Sequence, residues 1–156
     1  MGNQNTIHDA FNLKENPDCL LFRLAYSFAA GDLFTLALGN HGLVHWGWDV
    51  TWDVETPEQE PIFELIRNLN QWRRTYREFL HEGKMIKPIP LEKTGIFNMT
   101  RPDGSILQYP SLLTSRWKSA NGAEKQVIVN YLRWEQDCRM DGMELRIPPL
   151  SALWME

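Results

Sequence analysis

Leu33-Phe34-Thr35-Leu36-Ala37-Leu38 is a short, nearly continuous apolar run closed by Gly39. A run of that length without alternation predicts a strand buried on both faces, as in a parallel sheet. Such a strand needs parallel neighbours, and parallel neighbours need crossover connections. The segments around it do not supply them. The chain therefore reads as the tail of a larger protein.

Helical signals flank the run. Asp18 can cap a helix over about 19–29, with Leu20, Leu21, Leu24, Ala25 and Phe28 on one face and Gly31 as the stop. A second helix starts at Thr56, where Thr56 and Gln59 form a capping box and Pro57 takes the first helical position. Ile62, Leu65, Ile66, Leu69, Trp72, Tyr76, Phe79 and Leu80 then recur at three- and four-residue steps. Gly83 ends the pattern. This predicts one amphipathic helix about 39 Å long at 1.5 Å per residue. Its aromatic residues belong to the core by spacing.

After Lys87-Pro88-Ile89-Pro90 the texture changes. Arg101-Pro102-Asp103-Gly104, Ser119-Ala120-Asn121-Gly122 and Asp141-Gly142 are turn signals. Leu112–Lys118 and Glu124–Leu132 read as a hairpin around the second. Met143–Ile147 reads as a last strand. The expected fold class is α+β: helix, strand and long helix, then a small antiparallel β domain. The expected division is a lead-in over 1–17, a first unit over 18–90 and a β unit over 91–156.

The chemistry concentrates in residues 44–54. Val44, Trp46, Trp48, Val50, Trp52 and Val54 alternate with His45, Gly47, Asp49, Thr51 and Asp53. If extended, the segment presents three indoles on one face and a His and two carboxylates on the other. Indoles beside carboxylates can stack on sugar rings and hydrogen-bond their hydroxyls. The plainer reading is a half-buried strand whose Trp face is core. From Leu24 to Ile66 there is no Lys or Arg, whereas Asp32, Asp49, Asp53, Glu55, Glu58, Glu60 and Glu64 fall there. An acidic, Trp-rich cleft suits a neutral polyol or a cation.

Bulk properties bound the rest. A chain of 156 residues, 43% hydrophobic, suits one domain or two small units sharing a core. A net charge of −4 argues against a nucleic-acid partner. No apolar run reaches the roughly 18–20 residues of a membrane span. The first eighteen residues carry no signal-peptide core, so no compartment is assigned. Cys19 and Cys138 lie far apart in sequence and lack metal-ligand spacing. No phosphate loop, nucleophile elbow or zinc pattern is present, and no cofactor is expected.

The stretch Leu24-Ala25-Tyr26-Ser27-Phe28-Ala29-Ala30-Gly31-Asp32-Leu33-Phe34-Thr35-Leu36 resembles the last helix-to-strand passage of a (β/α)8 glycoside-hydrolase-like barrel. Glu60-Pro61-Ile62-Phe63-Glu64-Leu65-Ile66-Arg67, Trp72-Arg73-Arg74 and Phe79-Leu80-His81-Glu82-Gly83-Lys84-Met85 resemble the closing helix of such barrels. Ser115-Arg116-Trp117-Lys118 and Val127-Ile128-Val129-Asn130 resemble the hairpin of the small β-sandwich that follows. The group is similar in style to alpha-galactosidase-like enzymes. The likeness implies the C-terminal part of a carbohydrate-active protein. A full barrel needs about 250 residues, so this chain supplies its last unit at most. The strands that carry the catalytic acids are absent, and no catalytic residue is carried over. Residues 39–56 would follow the final strand, on the face where barrel active sites lie. Trp46, Trp48, Asp49, Trp52 and Asp53 are then the expected substrate-binding residues, with a carbohydrate as ligand.

Catalysis by these carboxylates does not follow. Glycosidase acids sit about 5–5.5 Å apart for retention or 6.5–9.5 Å for inversion. Asp49 and Asp53, if extended, are about 13 Å apart at 3.3 Å per residue. The same spacing separates His41, His45, Asp49 and Asp53 too widely for one metal ion. Two further expectations stand beside the hydrolase-like one. A non-catalytic binding or interaction module would self-associate through exposed apolar faces. A truncated remnant would have no activity of its own.

Overall fold

The computed structural model describes residues 17–32, 43–44, 48–49, 60–100 and 104–156. The apolar run Leu33–Leu38 and the capping pattern of Thr56, Pro57 and Gln59 lie outside them. The described residues form a mixed α+β structure with three helices and several antiparallel sheets. Helix α1 is Pro17–Ala29. Strands β1 (Leu43–Val44) and β2 (Trp48–Asp49) pair with each other. Helix α2 is Glu60–Thr75 and helix α3 is Arg77–Leu80. Strand β3 is Lys84–Ile86, β4 is Ile96–Thr100 and β5 is Ile106–Pro110. Strand β6 is Leu112–Lys118 and β7 is Glu124–Asn130. Strands β8 (Gln136–Met140), β9 (Met143–Ile147) and β10 (Ser151–Met155) complete the order.

The centre is a four-stranded antiparallel sheet in the order β10-β7-β6-β3. The expected hairpin over 112–132 is there, with Leu112 opposite Asn130 and Lys118 opposite Glu124. Alternation along β7 divides its side chains between two cores. Val127 and Val129, followed by Tyr131, join Leu21, Leu24, Phe28, Ile62, Leu65 and Leu69 beneath the helices. Ile128 points the other way and joins Leu112, Cys138, Met140 and Ile147 beneath the β8–β9 hairpin. The molecule is thus layered as helices, sheet and ribbon, with both sheet faces covered. Residues from 18–90 and from 91–156 share the helix-side core.

Two expectations change. The single helix over 56–83 is two, because the chain leaves helical geometry at Tyr76 (φ −110°, ψ 33°). Tyr76 stacks on Trp154 of β10 with centroids 3.7 Å apart. That contact overrides local propensity and turns Phe79 and Leu80 into the core. Met143–Ile147 is also not the last strand, since Ser151–Met155 follows and pairs with β7.

Buried amides fasten the second layer. Asn130 is fully buried, and its Nδ2 donates to the carbonyls of Trp134, Ile147 and Pro148 at 2.8, 3.0 and 2.9 Å. Its Oδ1 accepts from the Leu132 N–H at 2.9 Å. Gln126 clasps Ile89 from both sides, accepting from its N–H at 2.8 Å and donating to its carbonyl at 2.9 Å. Asn130→Ala leaves these backbone groups without partners, at a cost of about 1–3 kcal/mol for each one that stays buried. The urea midpoint of N130A should fall by roughly 3 kcal/mol equivalent with an unchanged slope. An unchanged midpoint would show that Asn130 does not hold the layers together.

Candidate functional site

The strand register fixes how the helices lie. Helix α1 starts at the Asn130 end of the sheet, where Asp18 pairs with Arg133 at 2.9 Å and Phe22 contacts the Tyr131 ring at 5.4 Å. It ends at the other edge, where Gly31 abuts the ring of Trp117, the partner of Lys125. Helix α2 runs the same way. Asn68 donates to the Leu150 carbonyl (2.8 Å), next to the Ser151–Asn130 rung, whereas the Tyr76 that follows α2 stacks on Trp154, opposite Val127. The two helices are therefore parallel neighbours. Residues 33–59 must connect the end of one with the start of the other.

That departure point is strongly held. Gly31 has φ +79°, and a Cβ there would lie 2.5 Å from Trp117 Cη2. Both facts require glycine. Arg73 of α2 donates to the Asp32 carbonyl and covers the Phe28 ring at 5.2 Å. Burial pushes the Arg73 guanidinium below its usual range, opposed by the Asp32 carboxylate. Trp72 meets Phe28 edge-on at 5.8 Å. Arg73 is thirteen residues after Glu60. The connection therefore returns about 20 Å along the helix axis before α2 begins.

The expected sugar-binding residues fall on this connection. Trp46, Trp52 and Asp53 lie outside the described residues. For Trp48 and Asp49 only the backbone pairing is described, with Trp48 opposite Val44 and Asp49 opposite Leu43. Antiparallel pairing of 44 with 48 means the chain reverses between them, so residues 44–54 are not one extended strand. The face assignment, built on extension, loses its basis from 44 to 48, while the expected 13 Å spacing of Asp49 and Asp53 falls outside the described residues. Among the described residues, no group of three His, Cys, Asp or Glu could hold a metal ion. Among them, too, no helix is long and apolar enough to cross a membrane. Cys19 and Cys138 form no disulfide with each other, and burial raises the Cys138 pKa.

Other features escaped sequence reading. An aromatic row crosses the Asn130 end: Tyr26, Phe22 and Tyr109 have successive centroid distances of 5.9 and 4.1 Å, and Phe97 stands 5.8 Å from Trp134. Tyr131 joins them and donates its hydroxyl to the Pro110 carbonyl at 2.7 Å. Burial raises the Tyr131 pKa well above the usual value, with Asp18 and Tyr109 adding to it. Arg101–Gly104 reads only as a turn signal, and the antiparallel strands β4 and β5 on either side of it are not among the expected strands.

Comparison with protein-family models, with curated proteins and with solved structures finds no match to this chain.

Two outcomes test this geometry. Gly31→Ala should lose about 2 kcal/mol or more in denaturant unfolding, from the positive φ and the Trp117 contact together. A wild-type midpoint would show the end of α1 to be free to readjust. Tyr131 remains protonated in the fold at pH values where the unfolded chain ionises near 10. Its contribution is complete below pH 10 and declines as pH rises toward the folded value. Tyr131→Phe should flatten the loss of stability above pH 10, read as denaturation midpoint against pH. An equally steep decline in both proteins would count against the buried hydroxyl.

Proposed function

We propose that this chain is the C-terminal part of a carbohydrate-active, glycoside-hydrolase-like protein, giving substrate-cleft residues and a β cap while the catalytic acids lie elsewhere. The observation that carries the reading is the parallel packing of α1 and α2. Antiparallel helices need only a short turn. Parallel ones need a returning segment, and in a β/α barrel that segment holds a strand and the loop after it. Residues 33–59 contain, in that order, the apolar run Leu33–Leu38 and the Trp/Asp stretch. An antiparallel β layer then follows the second helix, as in the likeness described above.

In this reading Trp46, Trp48 and Trp52 stack on sugar, and Asp49 and Asp53 accept hydroxyl hydrogen bonds. A different observation favours a second reading, a self-standing non-catalytic binding or interaction module. Ile62, Leu65 and Leu69 are fully buried within the chain itself, while Glu60, Glu64, Arg67 and Arg74 are exposed. An outer face of charges offers little apolar surface to missing barrel strands.

Calorimetry and glycan arrays on the purified chain test the proposal. The chain should bind neutral oligosaccharides without hydrolysing glycosides. Each Trp→Ala change at 46, 48 or 52 should weaken binding by roughly tenfold, for about 1.4 kcal/mol of lost stacking. Turnover by the isolated chain would refute the placement of the catalytic acids elsewhere. Absence of sugar binding, with a folded monomer on gel filtration, would leave the interaction module.

A further inference from the structure

The outer face of the β4–β5 ribbon holds an open cleft of about 250 Å³. Thr94, Gly95 and Ile96 form one side, and Gln108, Tyr109 and Pro110 the other. The register closes it, since Ile96 is opposite Pro110 and the Ser111 N–H donates to the Gly95 carbonyl at 3.0 Å. Its walls are ordered by contacts made elsewhere. The Tyr109 ring rests on Phe22 at 4.1 Å. The Gln108 amide donates to Asn98 Oδ1 at 3.2 Å, which fixes the amide plane and leaves its own Oε1 as an acceptor. Gly95 is constrained by space, because a Cβ there would lie 3.1 Å from Ser111 Oγ. That hydroxyl is buried and has no hydrogen-bond partner among the described residues.

Resting on the carbohydrate reading above, we propose that this cleft is a second sugar subsite that takes one neutral pyranose-sized ring. Three properties select that class. The volume falls below the roughly 300–1,000 Å³ of pockets for drug-sized ligands, so one ring is the natural occupant. No charged side chain lines it, so an anionic or cationic ligand would lose hydration without a counter-charge. Its outer-face lining mixes the apolar side chains of Ile96 and Pro110 with a hydroxyl at Thr94 and the amide of Gln108, while the Tyr109 ring lies on the opposite side of the ribbon against Phe22 and contributes backbone only. A wholly apolar ring would strand those polar groups, at a penalty a hydroxylated ring avoids. A sugar matches both parts, with its C–H face on the walls and its hydroxyls on Thr94 and Gln108. The site lies on the β4–β5 ribbon, apart from the Trp/Asp stretch in sequence.

The test is an amide-resolved NMR titration of the full chain with neutral monosaccharides and short neutral oligosaccharides. A sugar acid serves as the charged control. Shifts should concentrate at the amides of residues 94–96, 108 and 109. Gln108→Ala should weaken them by about tenfold, the loss of one well-formed hydrogen bond to ligand. Thr100→Ala, on the same ribbon face but outside the cleft, should leave them unchanged. Sugar-induced shifts elsewhere, unaltered by Gln108→Ala, would overturn the subsite and leave the carbohydrate reading standing. Stronger binding of the sugar acid at these residues would overturn the neutral assignment. The lack of any sugar response would remove the parent reading, and this one with it.

Discussion

Strand β7 is the constraint around which the rest is arranged. From Gln126 to Asn130 every residue is buried, so neither face of the strand meets water. A strand in that position needs hydrogen-bonded neighbours on both edges and packed layers on both faces. Strands β6 and β10 supply the edges, helices α1 and α2 one face and the β8–β9 hairpin the other. The polar cost is confined to two amides. Gln126 near one end grips the 88–90 segment, and Asn130 at the other grips the turns around Trp134 and Pro148. Both convert a desolvation penalty into fixed geometry, because an amide with every partner in place orders the backbone it touches.

How much was legible depended on whether the controlling contact was local. The buried face and the stop of α1 follow from the apolar spacing and Gly31, within one helix, whereas its start at Pro17 puts Asp18, expected as the cap, inside the first turn. The β6–β7 hairpin follows from the Ser119–Gly122 turn and the strand residues on either side of it. The division of the long helix at Tyr76 could not be read, since its cause is Trp154, 78 positions later. The extended reading of 44–54 failed for a related reason: alternation fits one long strand and a reversing pair of short ones equally well. Sequence reading also took the alternation of Val127 and Val129 with Gln126 and Ile128 as a hairpin strand. It did not show that the second set, Gln126, Ile128 and Asn130, would be buried too, because the β8–β9 layer that covers it comes later in the chain.

The candidate sugar-binding residues were chosen from chemistry rather than from contact, and their selection rests there still. What the structure adds is the frame around them. The end of α1 is clamped by Trp117 and Arg73, so residues 33–59 leave from one fixed point and rejoin the described chain at Glu60.

The start of α2 and the cleft on the β4–β5 ribbon lie at one end of the described fold. Helix α2 begins beyond Asn68, on the side of the sheet marked by Asn130 and Leu150. The cleft on the β4–β5 ribbon belongs to that same side, because Pro110 receives the Tyr131 hydroxyl and Tyr109 rests on the first half of α1. Glu60 therefore opens α2 at the end of the fold where the cleft lies. Two weak single-ring contacts on one chain would act as a linked pair only if a single oligosaccharide spanned them. Effective concentration then raises affinity well above that of either alone. A shallow cleft with one ordered amide is a poor isolated receptor, and its chemistry makes most sense as the secondary half of such a pair.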